Sequence, residues 1–183
     1  MMNRPLVLVG IIGVAAASRL VPHLPNVTPL VAMALFGGAV FTSKRAAFLI
    51  PLAAMLFSDV AIGLVAGDLS RGLHAMMPFV YGSFVAITAL GFLVRRRRSA
   101  GPIACATVTA STLFFVVTNF GVWMATSLYP KTLAGLLSCY VAGLPYLRNA
   151  VLGDGVFAFL LFGTLALAER REPSPVFAEV RRN

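Results

Sequence analysis

Apolar positions along the chain fall in long unbroken runs. Residues 5–20, 29–42, 46–66, 75–94, 102–125, 132–144 and 146–168 are almost wholly apolar, and polar groups collect between them. The runs show neither the alternation of a half-buried strand nor the single stripe of a surface helix. A helix that is apolar all round lies in a core or in a bilayer. A bilayer span takes about 20 apolar residues, so 46–66, 75–94, 102–125 and 146–168 qualify by length.

The remaining runs are short. Residues 5–20 follow Arg4 and pass through Ala15-Ala16-Ala17, a pattern shared by cleaved signal peptides and retained helices. Small residues at helix-packing spacing, Gly13 with Ala17 and Gly10 with Ala16 nearby, favour retention. The run 29–42 must use flanking residues to cross, and Gly37-Gly38 within it predicts a close helix approach. The run 132–144, bounded by Pro130 and Pro145, predicts a separate interfacial or re-entrant helix. The expectation is therefore an all-α membrane protein, a bundle of six transmembrane helices with both termini cytoplasmic. Residues 1–168 would form one transmembrane domain and 169–183 a polar cytoplasmic tail.

Composition agrees. The chain is 59% hydrophobic and 11% charged, against about 25% charged in soluble domains. A net charge of +9 admits nucleic acid as a partner, but the placement of the charges does not. With six spans, Arg4, Lys44, Arg45, the run 95–98, Arg170, Arg171, Arg181 and Arg182 fall on one side, 11 of the 15 basic residues. Arg19, Arg71, Lys131 and Arg148 fall on the other. This is the positive-inside bias of a multi-pass protein of a bacterial cytoplasmic membrane, with the arginine run resting on anionic lipid. The two cysteines, Cys105 and Cys139, suggest neither a disulfide framework nor a metal motif.

The same orientation sorts the chemistry. Asp59, Asp68, Asp154, His23, His74 and the single tryptophan, Trp123, all fall toward the outer side, and the inner halves of the spans carry little. An ionisable group inside a span costs about 2.5–3.5 kcal/mol on insertion scales, so it has a partner or a role. The densest stretch is 118–154, with Asn119, Trp123, Lys131, Tyr140, Tyr146, Arg148, Asn149 and Asp154. An interfacial aromatic and basic belt explains Trp123 and Lys131 but not Asn119 or Asp154, which interrupt apolar runs. The proline-broken stretch 19–28 adds Arg19, His23 and Asn26, and the third and fourth spans add Asp59, His74 and Tyr81. Arg148 is the expected partner of Asp59, with Asp154 competing for it. A pore needs polar groups along its whole length. No nucleophile set, HExxH-like spacing or Walker motif is present. A one-ended polar cluster in an apolar bundle reads instead as an outward-facing solute pocket. The loop 19–28 would be its lid.

In this architecture the chain resembles the substrate-binding (S) components of energy-coupling factor (ECF) vitamin transporters. That resemblance implies a vitamin-like substrate captured near the outer face under the first loop, and an external coupling subunit with ATPases. It also implies contact with that subunit through small residues of helix one, here Gly13 and Ala17. The layout is most similar to the cobalamin-specific S components, which makes a corrinoid the first candidate ligand, carried rather than held as a cofactor. Where those proteins place a cobalt-ligating cysteine, this chain has His74, whose imidazole would be the axial ligand. The chain also resembles a family of small bacterial membrane proteins with no assigned substrate. The segments that carry this likeness stand at 19–29, 55–63, 77–84, 118–123, 129–140 and 144–154.

The site expected from the sequence is thus Arg19, His23, Asn26, Asp59, His74, Tyr81, Asn119, Trp123, Tyr146, Arg148, Asn149 and Asp154. The competing readings are a membrane enzyme acting on a lipid or prenyl group, with Asp59, His74 and Asp154 as its chemistry, and a structural subunit without a ligand. No DDxxD-type spacing supports the enzyme.

Overall fold

A computed structural model describes residues 4–21 and 26–171. It contains six α-helices and, among the described residues, no strand. They are α1 (Arg4–Ala17), α2 (Leu30–Val40), α3 (Lys44–Val65), α4 (Met77–Val94), α5 (Ala100–Ala125) and α6 (Leu133–Arg171). Single 3-10 turns follow α1 and α3.

Local chemistry sets the boundaries. Ser43 caps α3 by accepting from the Ala46 N–H. Pro29 stands just before α2 and Pro78 in the first turn of α4, where a missing N–H costs nothing. Asp68 opens the turn after α3, and its carboxylate accepts from the Ser70 hydroxyl at 2.7 Å and N–H at 2.9 Å. Those bonds hold Asp68 below the usual carboxylate range.

Four helices, α3 to α6, are long and apolar enough to cross a membrane. The other two are not, at 14 and 11 residues. At 1.5 Å per residue they reach about 21 and 17 Å, against a hydrocarbon core of about 30 Å. The reason α2 is short is its position. All eleven of its residues are buried, so it is the core around which the other helices stand. Phe36 of α2 meets Phe162 of α6 edge-on at 5.1 Å, and Phe84 of α4 meets Phe114 of α5 at 6.0 Å. The opposite faces of the outer helices are apolar and bare: Phe57, Leu93 and Phe159 are all at least 75% exposed. A soluble protein does not display such a coat, and a lipid-facing one does.

Gly38 and Gly91 make the α2–α4 approach possible. A Cβ on Gly38 would lie 2.0 Å from the Thr88 carbonyl oxygen and 3.0 Å from Gly91 Cα. The expected close contact at Gly37-Gly38 is therefore a backbone-to-backbone one. Beyond it, Arg95 folds back over the end of α2. Its guanidinium donates to the carbonyls of Gly38 (3.1 Å) and Phe41 (2.5 Å) and lies 4.8 Å from the Phe92 ring centre. A cation on the carbonyl end of a helix satisfies orphan acceptors and complements the dipole. Arg95 thus has a structural partner, beyond a general role on lipid. Arg98 pairs with Glu169 at 3.6 Å, which brings the end of α6 to this same basic end.

One expectation is corrected. Residues 132–144 do not form a separate helix, because α6 runs unbroken through Pro145 to Arg171. The apolar faces on both sides of Pro145 pack on α5. Tyr140 donates to the Val116 carbonyl, Gly143 sits against Phe115 and Asn119, and Ser111 donates to Asp154. Continuous packing outweighs the backbone bond that proline removes and the ring clash it adds, about 3 kcal/mol or more.

Candidate functional site

The polar residues picked out in the sequence separate into three places. The first joins α1, α3 and α4. Arg19, in the 3-10 turn after α1, pairs with Asp59 at 2.7 Å; the two side chains are 11% and 10% exposed. Arg19 also donates to the Ser58 hydroxyl and to the Met55 carbonyl. The Tyr81 hydroxyl donates to the other Asp59 oxygen at 3.0 Å. Asp59 stands 15 residues into α3, about 22 Å along it, so the cluster lies far from the basic end. The expected pairing of Asp59 with Arg148 is wrong: Arg148 is exposed on α6, and Arg19 neutralises Asp59. The turn after α1 brings Arg19 back onto α3, which residue spacing alone does not reveal.

The second place lies between α5 and α6. Asp154 is 2% exposed and meets the Ser111 hydroxyl at 2.7 Å. It is close neither to Asp59 nor to Arg148 in any ion pair among the described residues.

The third place is a cavity of about 490 Å³ at the end away from the arginine run. Its walls come from α4 and the residue before it (Met76, Val80), from α5 (Phe114, Thr118, Asn119, Val122) and from α6 (Cys139, Ala142, Gly143, Tyr146). Asn26, from the loop before α2, and Leu128 and Tyr129, from the α5–α6 turn, complete it. Asn26 holds φ of 61°, the left-handed region asparagine tolerates better than most residues. Among the described residues no charged side chain lines this space. Several lining polar groups have protein partners. The Thr118 hydroxyl donates to Phe114 O at 2.7 Å, Asn119 Nδ2 to Phe115 O at 2.9 Å, and Cys139 Sγ to Asn119 O at 3.4 Å. That fixes the Asn119 carboxamide with its oxygen toward Gly143, where a Cβ would lie 2.5 Å from it.

Trp123 packs against Phe120, their ring centres 5.6 Å apart, outside the cavity lining. Its indole N–H donates to Pro130 O at 2.9 Å, and Lys131 lies 5.7 Å from its ring while donating to the carbonyls of Trp123 and Thr126. These bonds close the α5–α6 turn beside Leu128 and Tyr129.

Of the residues expected from the sequence, the cavity brings together Asn26, Asn119 and Tyr146, and Trp123 does not line it. Arg19, Asp59 and Tyr81 form their own cluster, and Asp154 a third group. His74 is exposed in the loop before α4, and its Nδ1 accepts from the Met76 N–H at 3.2 Å; it does not line the cavity. Asn149 is half-buried on α6. His23 lies outside the described residues. Among the described residues no group of three His, Cys, Asp or Glu is placed to hold a metal. Gly13 and Ala17 line a second hollow of about 480 Å³, almost wholly apolar, between α1 and α3. Ser58, Ser111, Thr118, Cys139 and Gly143 were not picked out from the sequence. The spacing of Thr107, Ser111 and Thr118 on one face of α5 was the available signal.

Fold and site together define a class: a helical protein with apolar helices of membrane-spanning length, a cavity at one end that no charged side chain lines among the described residues, and buried carboxyls bonded elsewhere. Within that class, the chain belongs to the family described as "Family of unknown function (DUF6580)", whose model matches residues 1–175. No curated protein and no solved structure matches the chain.

Proposed function

We propose that this protein binds a small uncharged solute in the cavity between α4, α5 and α6 and serves as the substrate-binding part of a transport system. The observation that carries this reading is the lining. A cavity of about 490 Å³ falls within the usual 300–1,000 Å³ range for small-molecule sites. Burying a charged solute there would leave that charge unpaired, which is strongly unfavourable. A neutral ring system with a hydrogen-bond donor for Asn119 matches what the walls offer. The volume favours a vitamin-sized molecule over a complete corrinoid, and the position of His74 gives no support for a cobalt ligand.

On this reading, supported by the basic bias, the arginine run faces the cytoplasm of a bacterium, the cavity opens outward and both termini are cytoplasmic. The reading extends the likeness to the S components of ECF transporters, with energy supplied by a coupling subunit and ATPases. The hollow lined by Gly13 and Ala17 is where that subunit would dock. Asp59 and Asp154 have separate partners, which favours solute binding over the paired acid and base of a membrane enzyme.

Titration of Trp123 emission tests this. Neutral vitamins and corrinoids are added to purified protein, beside Asn119→Ala. A saturable change with at least one neutral compound, weakened about fivefold or more by Asn119→Ala, is expected: a lost hydrogen bond leaves a desolvated group, at roughly 1–3 kcal/mol. Saturable binding only of charged compounds, or binding that Asn119→Ala leaves unchanged, would contradict it.

A further inference from the structure

Helices α1 and α6 stand apart over part of their length, and a hollow of about 430 Å³ lies between them. Gly10, Val14 and Ala15 line it from α1, and Phe157, Leu160 and Thr164 from α6. It is separate from the hollow lined by Gly13 and Ala17 and from the cavity between α4, α5 and α6. Small residues in apolar helices ordinarily mark the points where helices touch. Gly10 does not, because a Cβ there would meet nothing within 4 Å. Among the described residues no charged side chain lines the hollow. Its polar groups are two hydroxyls, and the proton of one, Ser18, goes to the Ala15 carbonyl at 2.7 Å.

Depth and size narrow the occupant. Glu169 meets Arg98 at the basic end of the bundle. Thr164 and Phe157 precede Glu169 by five and twelve residues, or about 8 and 18 Å along α6. With that end at one face of a hydrocarbon core about 30 Å thick, the hollow lies at the depth of lipid chains. Water-soluble molecules and soluble proteins do not reach it there. Val14 and Leu160 both line the hollow and are exposed, so it is continuous with the bare apolar coat. A helix of another membrane protein is too thick to enter. At a diameter of about 10 Å, the roughly 10 Å of its length alongside 157–164 would need about 800 Å³, nearly twice the space present. An acyl chain is a single file of methylenes and has no polar group to satisfy.

We propose that this hollow is a lipid site that holds one acyl chain of a bilayer lipid between α1 and α6. The buried Ala15 and Leu161 form its floor, so the chain is surrounded on more than one side and held more firmly than one lying on the outer coat. The site recognises the chain and not the headgroup, because every lining group is apolar or a hydroxyl. The chain fills the space beside Gly10, so a lipid is part of what seats α1 against α6. This rests on the helices spanning a membrane and not on what the cavity between α4, α5 and α6 binds.

Native mass spectrometry tests the inference on the full chain, reconstituted in phosphatidylglycerol or phosphatidylcholine vesicles with identical chains and released in mild detergent. Gly10→Leu fills the hollow from α1 and Thr164→Leu fills it from α6; both positions are exposed, so neither variant crowds the core. Gly82→Leu is the control, since a Cβ at Gly82 also meets nothing within 4 Å and Gly82 stands on α4, away from the hollow. Wild type and Gly82→Leu should each retain one lipid per chain more than Gly10→Leu and Thr164→Leu, equally with both headgroups. Either filled variant decides the matter if the other does not fold. Retention equal to wild type in a folded Gly10→Leu or Thr164→Leu overturns the site. A difference seen only with phosphatidylglycerol places the contact at the arginine run and overturns it too. So does a wild type released as a dimer that Gly10→Leu turns into a monomer, which makes this face an interface between copies.

Discussion

Replacing Asp59 with asparagine removes the countercharge of Arg19 while keeping side-chain size and an oxygen for Tyr81. The pair is separated by 2.7 Å and nearly sealed from solvent, with side-chain exposures of 11% and 10%. Breaking a buried pair from one side costs about 3–5 kcal/mol. Arg19 retains the Ser58 hydroxyl and the Met55 carbonyl as acceptors, which places the loss at the lower end, near 3 kcal/mol. A chain of this size shifts its Tm by roughly 2–4 °C per kcal/mol, so the single variant should melt about 6–12 °C lower. Arg19→Gln should lose a similar amount. Combining the two leaves a neutral hydrogen-bonding pair, and the double variant should recover more than half of the summed loss. Arg148→Gln, at an exposed position, should move the midpoint by no more than about 2 °C. Thermal unfolding in detergent, followed by loss of the monodisperse peak in size-exclusion chromatography, reads all four. Additive losses in the double variant, or a loss in Arg148→Gln equal to that in Asp59→Asn, would refute the assignment of Arg19 as the partner.

Gly38→Ala should destabilise by more than the roughly 1–3 kcal/mol of ordinary overpacking, because its Cβ meets the Thr88 backbone at 2.0 Å, while Gly13→Ala, with nothing within 4 Å, should melt unchanged or slightly higher. Arg95→Gln should cost about 1.5–3 kcal/mol through lost charged bonds to Gly38 and Phe41, whereas Arg97→Gln, at an exposed position, should cost under about 0.5 kcal/mol in the same assay. In a chain with Cys105 replaced, Ser99→Cys should resist, and Ser127→Cys accept, an impermeant thiol reagent added outside intact cells; the reverse pattern would invert the proposed topology.

The helical class and four of the spans were legible because continuous apolar runs of about 20 residues have few other fates. The central position of α2 was not. A run that is apolar on every side reads the same whether it faces lipid or other helices, and only the Gly38–Gly91 contact distinguishes them. Pro145 misled for a related reason: local propensity says break, but contacts at Tyr140, Gly143 and Asp154 hold both halves of α6 on α5. The unusual residues were visible as chemistry but not as partners. Asp59 had to pair with something, and the choice of Arg19 over Arg148 depends on a turn after α1. The cavity drew on Asn119 and Tyr146, which stood out, on Thr118, which only its spacing along one face of α5 could have flagged, and on Cys139 and Gly143, which did not stand out because small side chains in an apolar run carry no signal of a hollow.

The central claim is that an uncharged molecule occupies the cavity between α4, α5 and α6. Native mass spectrometry of the full chain, released from membranes and offered the neutral compounds that alter Trp123 emission, tests it directly. Ala142→Phe is the control, since Ala142 lines the cavity and is exposed, so a larger ring fills the space without crowding the core. Wild type should hold one neutral molecule per chain, and Ala142→Phe, melting at the same temperature, should hold none. Equal occupancy in the two proteins, or a wild type that binds only charged compounds, would contradict the account.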